Sequence, residues 1–166
     1  LSLTREETIN QLKENYDGYH FTIPGPDVFN PYSLLNCFAD GKLNAYWFAS
    51  GTPTYLIEMM RKFDMMPANI GQDIEADKGD FDAPTETLTT IMPMIYQSGY
   101  LTIKKYTPET DLYTLGIPNK EIRVGLFRNL LPHYLGQYSQ MGNTTIAKMS
   151  ALINHNDMNG ALSLLQ

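Results

Sequence analysis

The feature that most constrains this chain lies past its midpoint. Leu101-Thr102-Ile103-Lys104-Lys105-Tyr106 and Leu112-Tyr113-Thr114-Leu115-Gly116-Ile117 are rich in β-branched and aromatic residues, and Thr107-Pro108-Glu109-Thr110-Asp111 joins them. Pro108 pre-sets a turn dihedral, so the segment reads as a β-hairpin. Pro118-Asn119 then opens a helix. Its apolar residues Ile122, Leu126, Phe127, Leu130, Leu131, Tyr134 and Tyr138 recur at helical spacing and form one stripe. Pro132 lies off that stripe and is expected to bend the helix. A lone hairpin is marginal in water, so both elements need further helices to pack on.

Those helices are signalled upstream. Thr4-Arg5-Glu6-Glu7 has the spacing of a capping box and predicts a helix from about Arg5 to Asn15. Tyr16-Asp17-Gly18-Tyr19-His20-Phe21 reads as a turn, and residues 22–29 as a loop. Asn30-Pro31 predicts a helix ending near Asp40, with Gly41 as its stop. Thr52-Pro53 repeats the start signal for a helix to about Phe63. Residues 64–84 are acidic and read as loop with at most one short helical turn. Thr85 or Thr87 could cap a helix to Ser98, which Pro93 must kink or start. Residues 145–166 suggest two short helices, the second capped by Asn156 or Asp157. That one stops in an apolar run, as if its packing partner lay downstream. The expected fold is therefore mainly α with a small β-hairpin. It divides into a helical lid-like region over 1–84, a winged-helix-like subdomain over 85–140, and a helical lead-in over 141–166.

Charge and cysteine usage narrow the setting. The net charge of −6 confines any nucleic-acid contact to a local patch. The single cysteine, Cys37, sits among Leu34, Leu35 and Phe38 and reads as core; one thiol builds no internal disulfide and fits a reducing, cytoplasmic compartment. No apolar run nears the roughly 20 residues that span a bilayer. The first residues form no signal peptide, and the missing initiator Met suggests an excised piece.

Several constellations fail on their chemistry. A P-loop needs a glycine-rich turn before Gly-Lys-Ser/Thr, but Gly41-Lys42 is followed by Leu43. Pro26-Asp27 with Asp40-Gly41-Lys42 spells a metal-nuclease pattern, yet Asp40-Gly41 reads as a helix stop rather than the strand that would align the pair. From Asp73, the acidic run Asp73, Glu75, Asp77, Asp80, Asp82 puts Lys78 and Pro84 where a calcium loop needs Gly and Glu. His20, His133 and His155 have no zinc spacing. The clusters Tyr16, Tyr19, Phe21 and Tyr46, Trp47, Phe48 read as packing before base stacking. Met59, Met60, Met65 and Met66 read as core or interface.

Five blocks carry a resemblance. They are Tyr16-Asp17-Gly18-Tyr19-His20-Phe21, Asn30-Pro31-Tyr32-Ser33-Leu34-Leu35, Tyr46-Trp47-Phe48-Ala49-Ser50-Gly51-Thr52-Pro53, Tyr96-Gln97-Ser98-Gly99-Tyr100-Leu101-Thr102-Ile103-Lys104 and Leu115-Gly116-Ile117-Pro118-Asn119-Lys120-Glu121-Ile122-Arg123. In this order, over roughly residues 1–140, they resemble the AAA-ATPase-like family of bacteria. The resemblance implies an upstream P-loop ATPase region, a helical and winged-helix middle, and a PD-(D/E)XK nuclease-like domain downstream. This chain would be the middle part, with neither catalytic centre. ATP and Mg²⁺ would belong to the intact protein, and the partners would be its own flanking domains.

Two roles are then in play. The first is a non-catalytic lid or coupling module, with Tyr16, Asp17 and Tyr19 as candidate contacts to a neighbouring domain. The second is a winged-helix module that binds DNA weakly. Lys104, Lys105, Lys120, Arg123 and Arg128 give five cations against Glu109, Asp111 and Glu121, a small local excess.

Overall fold

The computed structural model describes residues 3–49, 54–85, 89–135, 148–149, 151–152, 155 and 157–164. Local signals set the first helices. In α1 (Arg5–Tyr16) Thr4 Oγ1 accepts the Glu7 amide at 3.2 Å and the Glu7 carboxylate answers the Thr4 amide at 2.8 Å. In α2 (Pro31–Asp40) Asn30 Oδ1 caps the Ser33 amide at 3.2 Å. Gly41 ends that helix at φ 64°, a left-handed conformation that glycine adopts without a Cβ penalty. Then come α3 (Tyr46–Ala49) and α4 (Thr54–Lys62), which buries Leu56, Ile57, Met59 and Met60. The start signal at Thr52-Pro53 lies outside the described residues, as do Thr87, Asn156 and Tyr138.

The acidic stretch holds more than a loop. It contains α5 (Pro67–Ile70), β1 (Ile74–Ala76) and α6 (Lys78–Phe81). Asp77 Oδ1 caps the Asp80 amide at 3.0 Å, so part of the acidic run works as helix capping. Next, α7 (Met92–Gln97) carries Pro93 in its first turn, so the proline marks a start and not a kink. The hairpin is β2 (Thr102–Thr107) and β3 (Leu112–Gly116), with α8 (Lys120–Leu135) behind it and α9 (Met158–Ser163) last.

The hairpin belongs to a three-stranded antiparallel sheet in the order β1-β3-β2. Ile74 pairs with Leu115 and Ala76 with Tyr113. Between β2 and β3 the register slips at Lys104, which has no partner between the pairs Ile103–Leu115 and Lys105–Thr114. Such a bulge re-aims one side chain, and here that side chain is a lysine.

The main core lies between α4, α7, the sheet and α8. Ile95, Leu115, Ile122, Leu126 and Leu130 have no exposed surface there, and Met149 and Ala161 join it from the far end of the chain. A smaller core joins Tyr16, Cys37 and Tyr46. Since β1 is paired with β3 and α4 shares a core with α8, the sheet and core run straight through the division expected at residues 84 and 85. The architecture is mainly α with a small antiparallel sheet. Among the described residues, no helix is long and apolar enough to cross a membrane.

Candidate functional site

The N-terminus of α8 gathers side chains from across the sequence, and Glu121 is its centre. Only 3% of Glu121 is exposed. Its Oε1 accepts from Ser33 Oγ at 2.8 Å and from the Trp47 amide at 2.9 Å. Ser33 lies in the first turn of α2, Trp47 in that of α3, and Glu121 in that of α8. Three helix N-termini, each with a partial positive charge, thus converge on one carboxylate. Burial still dominates and pushes the Glu121 carboxyl above its ordinary range, partly offset by the Trp47 amide, the Ser33 hydroxyl and the Tyr46 amide. Oε2 is buried without a hydrogen-bond partner, which fits the raised carboxyl pKa.

A second set of contacts ties the turn at residues 17–20 to the same place. Asn119 caps α8 through Oδ1, which accepts the Ile122 amide at 3.1 Å, while its Nδ2 donates to Asp17 O at 2.9 Å. Gly18, at φ 90°, lies with its Cα against Pro118 O, where a Cβ would collide. The His20 amide donates to Thr102 Oγ1 at 2.7 Å, and that hydroxyl donates back to His20 O at 2.9 Å. Tyr16 is fully buried, its hydroxyl donating to Asn44 O and accepting from Asn44 N, both at 3.0 Å. Residues from all five sequence blocks therefore meet around the start of α8.

This placement sorts the sequence candidates. Tyr16 and Tyr19 are 0% and 7% exposed, so their contacts are within the chain rather than with a partner. Burial pushes both hydroxyls well above the usual tyrosine range. Asp17 spends its carbonyl on Asn119, and its Oδ1 is buried without a partner. Lys104, Lys120 and Arg123 share one cleft of about 410 Å³ with Asn119, Glu14 and Asp73. Lys104 Nζ donates to Pro118 O at 3.1 Å, and Lys120 pairs with Glu14 at 3.1 Å. Lys105 is exposed on β2 and Arg128 on α8, and neither lines that cleft. Sequence reasoning missed Ser33, Asn119 and Glu121. Glu121 was counted only as a charge opposing the cations, because nothing local marks a carboxylate whose partners are 74 and 88 residues away.

Most of the remaining candidates have their places within the fold, but Phe21 and Met66 are exposed. Asp40-Gly41-Lys42 ends α2 and lies on no strand. His20 Nδ1 is 2.9 Å from Asp27 Oδ1, while His133 and His155 are exposed. Cys37 is buried. Trp47 is partly buried and packs edge-on against Phe48 and Tyr100 at 5.2 and 5.0 Å. Phe21, expected in packing, is instead 65% exposed; it stacks on Tyr19 at 6.2 Å and lines a cleft with Trp47. Among the described residues, no group of three or more His, Cys, Asp or Glu could hold a metal ion. The Glu121 cluster can fix helices in place, and the cleft beside it can meet an anion.

Among the described residues, the fold and site define a small, mainly α unit with a buried polar node at Glu121 and a cationic cleft beside it. The chain is 28% identical over 159 residues to the uncharacterized protein in the vnfD 5' region of Azotobacter chroococcum mcd 1, a match covering 93% of this chain and 30% of that protein. The chain thus spans about a third of the length of that relative. No protein-family model matches the chain, and no solved structure matches it.

Proposed function

We propose that this chain is a non-catalytic lid or coupling module of a longer, AAA-ATPase-like polypeptide, linking nucleotide state in an upstream ATPase region to a downstream nuclease-like domain. The supporting observation is the outer face of α2. Its inner side carries Ser33 and Cys37, while Tyr32, Leu35 and Phe38 are 48%, 66% and 62% exposed at a spacing of three residues. An apolar stripe held outward by a polar node suits packing against another domain. The greater length of the relative is in keeping with such neighbours. ATP and Mg²⁺ would bind in the upstream region, and the lone buried thiol fits the cytoplasm.

A second reading, DNA binding through a winged helix, draws on the topology. The order α4, α5, β1, α6, α7, β2, β3 with the sheet order β1-β3-β2 is compatible with a winged-helix plan, if α5 is taken as an insertion and the plan starts upstream of residue 85. In that plan α7 would enter the groove. It reads Met92-Pro93-Met94-Ile95-Tyr96-Gln97, without a cation, and Tyr96 packs on Phe81 at 4.7 Å. Phosphate contacts depend on Lys and Arg, so coupling is the better reading. With Mg-ATP the chain alone is expected to show no turnover above buffer. At low salt it is expected to show no salt-dependent binding to duplex DNA. Turnover would overturn the coupling role, and duplex binding lost in Lys104→Glu/Lys105→Glu would establish the second reading in its place.

A further inference from the structure

We infer that the cleft at the start of α8 binds a single phosphate group, as free phosphate or as a phosphomonoester. Its volume of about 410 Å³ is lined by Lys104, Lys120 and Arg123. Among the described residues the Arg123 guanidinium has no hydrogen bond or ion pair. A planar fork of donors left open at a cleft matches the two-oxygen face of an oxyanion. Lys104 gives one ammonium proton to Pro118 O and Lys120 one to Glu14, so both keep donors to spare.

The electrostatics favour the same ligand. Much of the Lys104 side chain is open to solvent, yet partial burial is the largest influence on its pKa and pushes it down; Asp27 and Asp73 oppose that shift, and Arg123 adds to it. An anion between Lys104 and Arg123 would relieve their mutual repulsion. The 16-residue α8 starts at this cleft and adds the partial positive charge of its N-terminus. Glu14 and Asp73 limit the ligand. Both line the cleft and Asp27 also acts on Lys104, so the three cations are balanced by nearby carboxylates. The Arg123 fork, rather than an excess of charge, is what favours one compact oxyanion over a nucleic-acid strand. Nothing in the cleft reads a base, and the inference does not depend on the coupling role.

The test is an NMR titration of the chain with inorganic phosphate, AMP, O-phosphoserine and a short DNA duplex. The expected result is saturable shifts of the amides at residues 119–123, with similar affinities for the three small ligands. Arg123→Gln is expected to weaken phosphate binding by about tenfold, as loss of a charge-assisted pair does. Glu14→Gln lies on the exposed side of α1 and frees Lys120, so it is expected to tighten binding. Absence of saturable shifts in both the natural chain and Glu14→Gln would overturn the inference. So would an affinity unchanged by Arg123→Gln in a variant that keeps its melting temperature, or duplex binding in preference to the monoesters.

Discussion

Glu121→Ala is expected to lower the stability of the chain by about 3 kcal/mol, since each buried donor left without an acceptor costs about 1–3 kcal/mol. Two donors lose their acceptor at once, the Ser33 hydroxyl and the Trp47 amide, and α2 and α3 lose their tie to α8. Urea denaturation would read this as a lower midpoint with an unchanged slope. Glu121→Gln keeps the acceptor and needs no buried charge, so it is expected to cost under about 1 kcal/mol. The pH dependence separates the two forms. Because burial raises the carboxyl pKa, the native state holds its proton more tightly than the unfolded chain. That contribution is complete below the ordinary glutamate value of 4.5 and is lost as pH rises through the raised value. Stability of Glu121→Gln relative to the natural chain should therefore improve as pH climbs through that window. A difference flat with pH would mean that Glu121 is not desolvated as described.

Gly18→Ala is expected to be about as damaging. Its φ of 90° already penalises any side chain, and the new Cβ would strike Pro118 O, a backbone atom that also accepts from Lys104. Strain and overpacking together are expected to cost about 3 kcal/mol. Gly41→Ala is the control. Gly41 has φ 64° but no atom within 4 Å of a built Cβ, so it should cost only the conformational term of about 1 kcal/mol. Equal losses at the two positions would show that the turn does not press on the start of α8.

Both expectations concern contacts that no short stretch of sequence could reveal. What sequence does reveal here is local. Thr4 with Glu7, Asn30-Pro31 with Gly41, and Pro108 in the hairpin turn each act within a few residues, and the corresponding elements are where their chemistry puts them. The stripe of α8 was readable for the same reason, with Ile122, Leu126, Phe127 and Leu130 all buried. β1 was not readable. Ile74-Glu75-Ala76 is too short to show alternation, sits in an acidic run, and is a strand only because β3 pairs with it. The cations were found as residues but not as an arrangement. That Lys120 is paired with Glu14, and Lys104 turned onto Pro118 O by a bulge, depends on segments 106 and 14 residues away. The five blocks were visible as patterns, whereas their meeting around Glu121 is a property of the fold.

The coupling role is tested most directly by calorimetry with ATP on two polypeptides, this chain and the same chain extended to include the upstream ATPase region. The account predicts heat of binding at micromolar ATP from the extended polypeptide and none at that concentration from this chain, whose cationic cleft would hold a nucleotide by one phosphate alone and so only weakly. Tight ATP binding by this chain alone would contradict it and would place a nucleotide site among residues assigned here to packing.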